Sequence, residues 1–139
     1  MNPILPNLWI GAEPPCGPAI GTHFDVLVLA AKEIQDCKGY PGVKKVMKVP
    51  LDDDGIPPTP EEIFLAYQAG INVAILIAKR KMVLSTCHLG KNRSALVASL
   101  AMRNLGWPAD RTIREVRKAR GKDALGNKWF EEIVRKYEP

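Results

Sequence analysis

Residues 81–102 constrain the fold of this chain more than any other segment. Residues 81–86 are typical of a short buried strand, residues 87–94 of a tight loop and residues 95–102 of a helix. Where a strand and a loop lead into a helix, free backbone N–H groups and the positive end of the helix dipole converge on one point. The segment therefore predicts an α/β fold in which the loop holds a phosphate-like anion.

The loop supplies the groups that phosphate chemistry needs. Cys87 is a candidate nucleophile, because a helix N-terminus beside an arginine favours the reactive thiolate. Arg93 offers a planar fork to two phosphate oxygens, and Gly90 lets the backbone curl with its amides inward. Ser94 is near enough in sequence to hydrogen-bond the sulfur. We predict catalytic roles for Cys87, Arg93 and Ser94, and phosphate binding by His88, Leu89, Gly90, Lys91, Asn92 and Arg93.

Cleavage of a phosphate ester also needs a proton donor, which is worth about 10²–10⁴-fold in rate. Three aspartates follow the strand-like residues 47–51. Strand alternation places Asp53 on the face of residues 47, 49 and 51, which favours it as the general acid. Asp52 is the alternative if the turn at Gly55 shifts the register by one residue. Asp54 ranks third, because it is suited to start that turn.

These residues bring a known family into view. Residues 87–94 resemble the active-site signature Cys-x5-Arg-Ser/Thr of cysteine-dependent protein tyrosine phosphatases, most closely that of the compact dual-specificity group. Nearly the whole chain is similar to that group, with the clearest likeness at residues 8–11, 24–29, 49–53 and 116–130. The resemblance implies one catalytic domain over residues 1–139, built on a mostly parallel, twisted sheet of four to five strands with helices on both faces. It also implies a phosphocysteine intermediate and no metal or other cofactor.

One departure from the family leaves alternatives open. The position before the cysteine is usually histidine and is Thr86 here, so we expect weaker support of the loop and the thiolate. A catalytically weak or inactive phosphate-binding module is one alternative. Lys91 directed at a second phosphate would favour a phosphoinositide phosphatase. The spacing from Cys87 to Arg93 and the late position of the cysteine argue against rhodanese-type sulfur transfer and arsenate reduction.

Length and charge bound the class of protein and its partners. A chain of 139 residues fits one domain. The net charge of +5 favours anionic partners, and we expect a phosphorylated protein or another phosphomonoester. Nucleic acid is not favoured, since aromatic and basic residues do not alternate. No apolar run of membrane-spanning length is evident, and we expect a monomer.

The cysteines indicate a reducing environment. Cys16, Cys37 and Cys87 form neither a disulfide framework nor a zinc-site pattern. The first residues lack the basic and apolar blocks of a signal peptide, so a cytoplasmic location is expected. A protective disulfide from Cys16 or Cys37 to Cys87 is an alternative to ordinary free thiols, which we favour.

Periodicity predicts the order of elements. Strands are expected near residues 7–11, 25–30, 43–49 and 81–86, with a loop over residues 13–21. A short helix begins near Ala31, and a long one runs from a capping box at Thr59 and Glu62 to about residue 80. Further helices are predicted from the phosphate loop to about residue 105, from Pro108, and from Asn127 as N-cap.

Overall fold

A five-stranded sheet and four helices form the described part of the protein, which in this computed structural model comprises residues 1–14, 23–34, 40 and 42–139. The strands are β1 (Asn2–Leu5), β2 (Leu8–Gly11), β3 (Val26–Ala31), β4 (Lys45–Leu51) and β5 (Val83–Thr86). The helices are α1 (Pro60–Ala78), α2 (Arg93–Asn104), α3 (Ala109–Arg120) and α4 (Lys128–Lys136). A 3-10 turn at Lys32–Ile34 stands where a short helix was expected.

The strand order β1-β2-β5-β3-β4 places the site. β2, β5, β3 and β4 are mutually parallel, whereas β1 pairs antiparallel with β2. The predicted mostly parallel sheet is confirmed. Every residue of β3 and β5 is buried, so both faces of the sheet centre are covered. Because the strands are parallel, the loops after β3, β4 and β5 all leave from the carboxyl end of the sheet, where ligands bind in such sheets.

Proline is involved in two of the differences between the observed strands and the sequence prediction. β1 was not predicted, since Pro3 and Pro6 fall in or beside it, but it lies at the edge of the sheet. β4 runs two residues later than expected and includes Pro50, and it forms the opposite edge. Edge strands tolerate proline because one row of their backbone groups has no partner to lose.

The long helix α1 begins as its sequence predicts. The Glu62 amide donates to the Thr59 hydroxyl at 3.2 Å, and the Thr59 amide donates to the Glu62 carboxylate at 3.1 Å. This is the predicted capping box. Among the described helices α1 is long and apolar enough to cross a membrane. Its contacts with α2, β4 and β5 identify it as a helix of the core instead.

Helices α1 and α2 approach closely at one position. A Cβ added to Gly70 would lie 2.6 Å from the Cβ of Leu100. This contact places the middle of the core helix against α2, the helix that follows the loop after β5. The position of α2, and with it the loop, therefore depends on the packing of α1.

The remaining helices follow their predicted signals. The Asn127 side chain accepts hydrogen bonds from the amides of Trp129 and Phe130 and so caps α4. Pro108 precedes α3 as its N-cap residue. Cys16, Cys37 and most of the predicted 13–21 loop lie outside the described residues, so the expectation of free thiols stays a prediction.

Candidate active site

The loop after β5 surrounds a cavity of about 290 Å³. Asp53, from the loop after β4, and Glu33, from the turn after β3, face the same cavity. The carboxyl ends of three parallel strands thus bring together side chains that are far apart in sequence. The lining residues are Glu33, Asp53, Cys87, His88, Leu89, Lys91, Asn92 and Arg93.

Cys87 lies at the buried end of the loop, with 2% of its surface exposed. Its Sγ is 3.2 Å from the Oγ of Ser94, which is fully buried. A serine hydroxyl can donate to a thiolate, and hydrogen bonds to a charged partner are the stronger ones. The pair therefore joins the candidate nucleophile to a hydroxyl that is able to stabilise its charged form.

Gly90 and Arg120 define the curl of the loop. Gly90 has a φ of 72°, as the sequence predicted for a residue where the chain turns back. Arg120, at the end of α3, donates from Nη2 to the Leu89 carbonyl at 3.0 Å and from Nε to the Gly90 carbonyl at 3.1 Å. Both carbonyl oxygens are thus bound by a side chain from outside the loop.

Arg93 is held by Glu33. Its Nη1 and Nη2 atoms donate to the two carboxylate oxygens of Glu33 at 2.6 and 2.5 Å, and Nη1 also donates to the Leu51 carbonyl at 3.1 Å. The arginine side chain is 9% exposed. Its Nε is buried and has no hydrogen-bond partner within the described residues. A bidentate carboxylate thus orients the guanidinium and leaves its Nε without an acceptor among the described residues.

The ion pair keeps both of its groups charged. Burial alone would lower the pKa of Arg93, but the hydrogen bonds and charge of Glu33 outweigh it and raise that pKa. The hydrogen bond from Arg93 lowers the pKa of Glu33 against the opposing effect of desolvation. Both groups are therefore ionised at neutral pH.

Asp53 is the member of the aspartate cluster that reaches the cavity. Its Oδ2 accepts from the Asn92 side-chain amide at 2.9 Å, and its Oδ1 accepts from the Asn127 side-chain amide at 2.8 Å. The Asp52 carboxylate lies 3.9 Å from the Lys32 ammonium, and its backbone amide donates to Glu62. Of the three aspartates, Asp53 was the one favoured from the sequence and it lines the cavity, although it lies beyond the end of β4 and its catalytic role stays a prediction.

The Lys91 ammonium is bound by groups at and after the end of α3. Its Nζ donates to the Arg120 carbonyl at 2.7 Å and to the Asp123 carboxylate at 2.9 Å. This hydrogen bond lowers the pKa of Asp123. The ammonium that the sequence analysis considered for a second phosphate is thus bound within the protein.

Thr86, which stands where histidine is usual, joins two strands. Its hydroxyl donates to the Val28 carbonyl of β3 at 2.8 Å. The neighbouring Ser85 hydroxyl donates to the Ser94 carbonyl at 3.0 Å, and both side chains are fully buried. Thr86 thus fixes the strand that carries the loop, and its hydroxyl is bonded to the backbone rather than to the sulfur.

Three residues of this site were not singled out as functional from the sequence: Glu33, Arg120 and Asn127. Glu33 follows β3 at the end of the sheet where β5 also ends. That position could have been inferred from the predicted parallel sheet. Arg120 is part of a basic segment with no distinguishing pattern. Asn127 was recognised, but only as a helix cap.

Comparison with solved structures identifies the fold. The chain is similar to human DUSP28, with a TM-score of 0.81 and 21% identity over 99% of this chain and 95% of that one. It is similar to a mouse dual-specificity phosphatase complexed with zinc tungstate, with a TM-score of 0.80 and 24% identity over 99% and 85%. A human tyrosine phosphatase-like serine/threonine/tyrosine-interacting protein has a TM-score of 0.77 and 15% identity over 99% and 94%. No family model and no curated protein matches the chain. The chain has the fold of dual-specificity and tyrosine phosphatases.

Proposed function

We propose that this protein is a cysteine-dependent phosphatase that hydrolyses phosphotyrosine, and phosphoserine or phosphothreonine, in proteins. The observation that carries the proposal is the state of Arg93. Its Nη atoms are fixed by Glu33 and Leu51, while its buried Nε has no acceptor within the described residues. A buried donor without a partner is costly, and a phosphate oxygen in the cavity beside Cys87 would satisfy it.

The first step transfers the phosphoryl group to sulfur. The Cys87 thiolate attacks phosphorus while Arg93 and the loop amides bind the non-bridging oxygens. The bond from phosphorus to the ester oxygen breaks, and Asp53 gives its proton to that oxygen. The products are a phosphocysteine, a free alcohol or phenol, and an ionised Asp53.

The second step returns the enzyme to its starting state. Water attacks the phosphocysteine, and Asp53 accepts a proton from it, which restores the carboxylic acid. The sulfur–phosphorus bond breaks, and the leaving thiolate receives a hydrogen bond from Ser94. Inorganic phosphate is released, and the cycle needs no further reactant.

Two features favour a protein substrate over a phosphoinositide. The Lys91 ammonium is bound to Asp123, so it adds little charge toward a second phosphate. Glu33 and Asp53 at the cavity also offset the positive charge of Arg93. A site with this balance suits a single phosphate group.

A non-catalytic phosphate-binding module is the second candidate. Thr86 favours it, because its hydroxyl is bonded to Val28 and not to the sulfur. One protein of this fold is itself described as phosphatase-like and interacting. The presence of Asp53 beside Cys87 in one cavity favours the enzyme instead.

Turnover and phosphoenzyme trapping separate the two candidates. We expect the parent protein to hydrolyse p-nitrophenyl phosphate and to give a radiolabelled phosphoenzyme from a labelled phosphotyrosyl peptide, trapped by rapid denaturation at neutral pH. Cys87→Ser should lose both while inorganic phosphate still raises its melting temperature. Cys16→Ser and Cys37→Ser are the thiol controls and should retain turnover. A parent that binds phosphate without turnover or phosphoenzyme would establish the binding module.

A further inference from the structure

The side chain of Asn127 connects two parts of the protein with different tasks. Its Oδ1 accepts from the amides of Trp129 and Phe130 and caps the N-terminus of α4, whereas its Nδ2 donates at 2.8 Å to Asp53, which lines the cavity. The two groups are 74 residues apart in sequence. A helix cap needs only the oxygen, so the amide nitrogen serves something else.

Asn92 completes the arrangement from the loop side. It is the N-cap residue of α2, but its side chain makes no capping hydrogen bond. Instead its Nδ2 donates to the other oxygen of Asp53 at 2.9 Å, and its Oδ1 accepts from the Asn127 backbone amide at 2.9 Å. The side chains of Asp53, Asn92 and Asn127, together with the Asn127 backbone amide, form a closed set of hydrogen bonds, which we call the aspartate clamp.

The clamp restrains a group that little else restrains. Asp53 is exposed, and it follows β4 in a segment without regular structure. Two donors, one to each carboxylate oxygen, fix both the position of the carboxyl group and its rotation. Each oxygen keeps a second lone pair, so the carboxyl group can still carry and transfer a proton.

We propose that Asn127, together with Asn92, is a positioning residue that holds Asp53 in place to protonate the leaving group. This inference rests on the proposed phosphatase function. Proton transfer requires a carboxyl group within hydrogen-bond reach of the leaving oxygen, and loss of one anchoring donor lets it swing out of reach. Asn127 does not contact the substrate and acts through Asp53.

Leaving-group dependence reveals this role. Asn127→Ser keeps a good helix cap but lacks the reach of the amide. We expect it to slow the hydrolysis of phenyl phosphate, a poor leaving group, by about 10- to 100-fold, the worth of a hydrogen bond to a charged group. Dinitrophenyl phosphate needs little protonation and should be hydrolysed nearly as fast as by the parent. Equal losses on both substrates would overturn the proposal.

Two further variants separate positioning from stability. Asn127→Ala removes both the cap and the donor, so it should melt lower than Asn127→Ser but show the same loss on phenyl phosphate. A loss that follows the melting temperature would mean that Asn127 is only structural. In an Asp53→Ala background, Asn127→Ser should have no additional effect on phenyl phosphate. Additive losses would contradict action through Asp53.

A spectroscopic readout does not depend on turnover. The Asn127 side-chain amide protons should resonate downfield in the parent and move upfield in Asp53→Ala. The amide of Asn104, which donates to the Leu100 carbonyl, is the control and should not move. If the parent lacked turnover, the proposed function would fail while this measurement still tested the clamp. An Asn127 resonance unchanged by Asp53→Ala would overturn the clamp itself.

Discussion

The backbone of Gly90 lies so close to Gly11 that a Cβ at position 90 would be 2.6 Å from the Gly11 carbonyl carbon and 2.7 Å from its oxygen. The end of β2 thus forms a wall behind the phosphate loop. Since Gly90 also has a positive φ, both space and backbone conformation exclude a side chain there. The curl of the loop depends on this contact.

Gly90→Ala should therefore disrupt the loop. We expect destabilisation by about 1–3 kcal/mol from overpacking, and a loss of kcat/KM beyond what the remaining folded fraction explains. Gly106→Ala is the matched control, because Gly106 has a φ of 98° but nothing within 4 Å of an added Cβ. It should cost some stability and leave kcat/KM unchanged. Thermal melts and steady-state kinetics measure both, and normal kinetics in Gly90→Ala would contradict the contact's importance.

Ser94→Ala should slow the breakdown of the phosphoenzyme more than its formation. In the proposed mechanism the serine hydroxyl stabilises the thiolate as it leaves, and such a hydrogen bond is worth about 1.5–3 kcal/mol. Rapid-quench experiments should show a burst of product followed by a steady rate reduced about 10- to 100-fold. Ser99→Ala is the control, since that buried hydroxyl of α2 has no hydrogen-bond partner within the described residues. A slow second step in both variants would assign the effect to the helix rather than to the sulfur contact.

Glu33→Gln should change the response of stability to acid. The pKa of Glu33 is lowered in the folded state by its hydrogen bond with Arg93, so the carboxylate stabilises the fold above its unfolded pKa of about 4.3. That contribution is lost as pH falls below this value toward the folded pKa. Urea unfolding at several pH values should therefore give a flatter acid limb for the variant than for the parent. An acid limb of unchanged slope would refute the linkage.

The same variant should weaken phosphate binding. Without the carboxylate, the Arg93 guanidinium is freer to turn, and we expect the dissociation constant for inorganic phosphate to rise several-fold. Glu131→Gln is the control, because it removes another ion pair, to Arg117, away from the cavity. It should leave phosphate affinity unchanged. Calorimetric titration compares the two, and equal effects would mean that Glu33 acts only through general stability.

The sign of the stability change in Gly70→Ala tests how closely α1 packs on α2. In an exposed helix, alanine is about 1 kcal/mol better than glycine. Here the added Cβ would meet Leu100 at 2.6 Å, so we expect a net loss of about 1–3 kcal/mol. Gln68→Ala, on the exposed side of the same helix, should change stability by less than about 0.5 kcal/mol. A stabilised Gly70→Ala would show that the helices can move apart at no cost.

Patterns of neighbouring residues predicted the features of this protein that depend on short-range interactions. The helix cap at Thr59, the positive φ of Gly90 and the approximate positions of the core strands along the chain depend on neighbouring residues, and the structure has them as expected. Asp53 was favoured by extending the alternation of β4, and it lines the cavity although it lies beyond the end of that strand. The cap and the glycine conformation could be derived from the chain without its tertiary contacts.

Contacts between distant segments could not be derived in this way. Glu33 meets Arg93 across 60 residues, and Asn127 meets Asp53 across 74. Neither pair has a spacing or composition that marks it, since the geometry arises only when the sheet edges and helices assemble. The edge strand β1 was missed for a similar reason, because tolerance of its prolines depends on where in the sheet it lies.

Arg120 has a consequence for the electrical character of the loop. A peptide group can present either its N–H or its carbonyl oxygen to the cavity. Arg120 binds the carbonyl oxygens of Leu89 and Gly90, so these oxygens cannot turn toward the cavity. Its third donor binds the Asn2 side chain at 2.9 Å, so β1 shares in this restraint. The orientation of the peptide groups in the loop therefore depends on Arg120, which lies outside the loop. Without these hydrogen bonds the peptide groups of the loop could rotate and turn their carbonyl oxygens toward the cavity. The loop would then repel an anion although every residue that lines the cavity was still present.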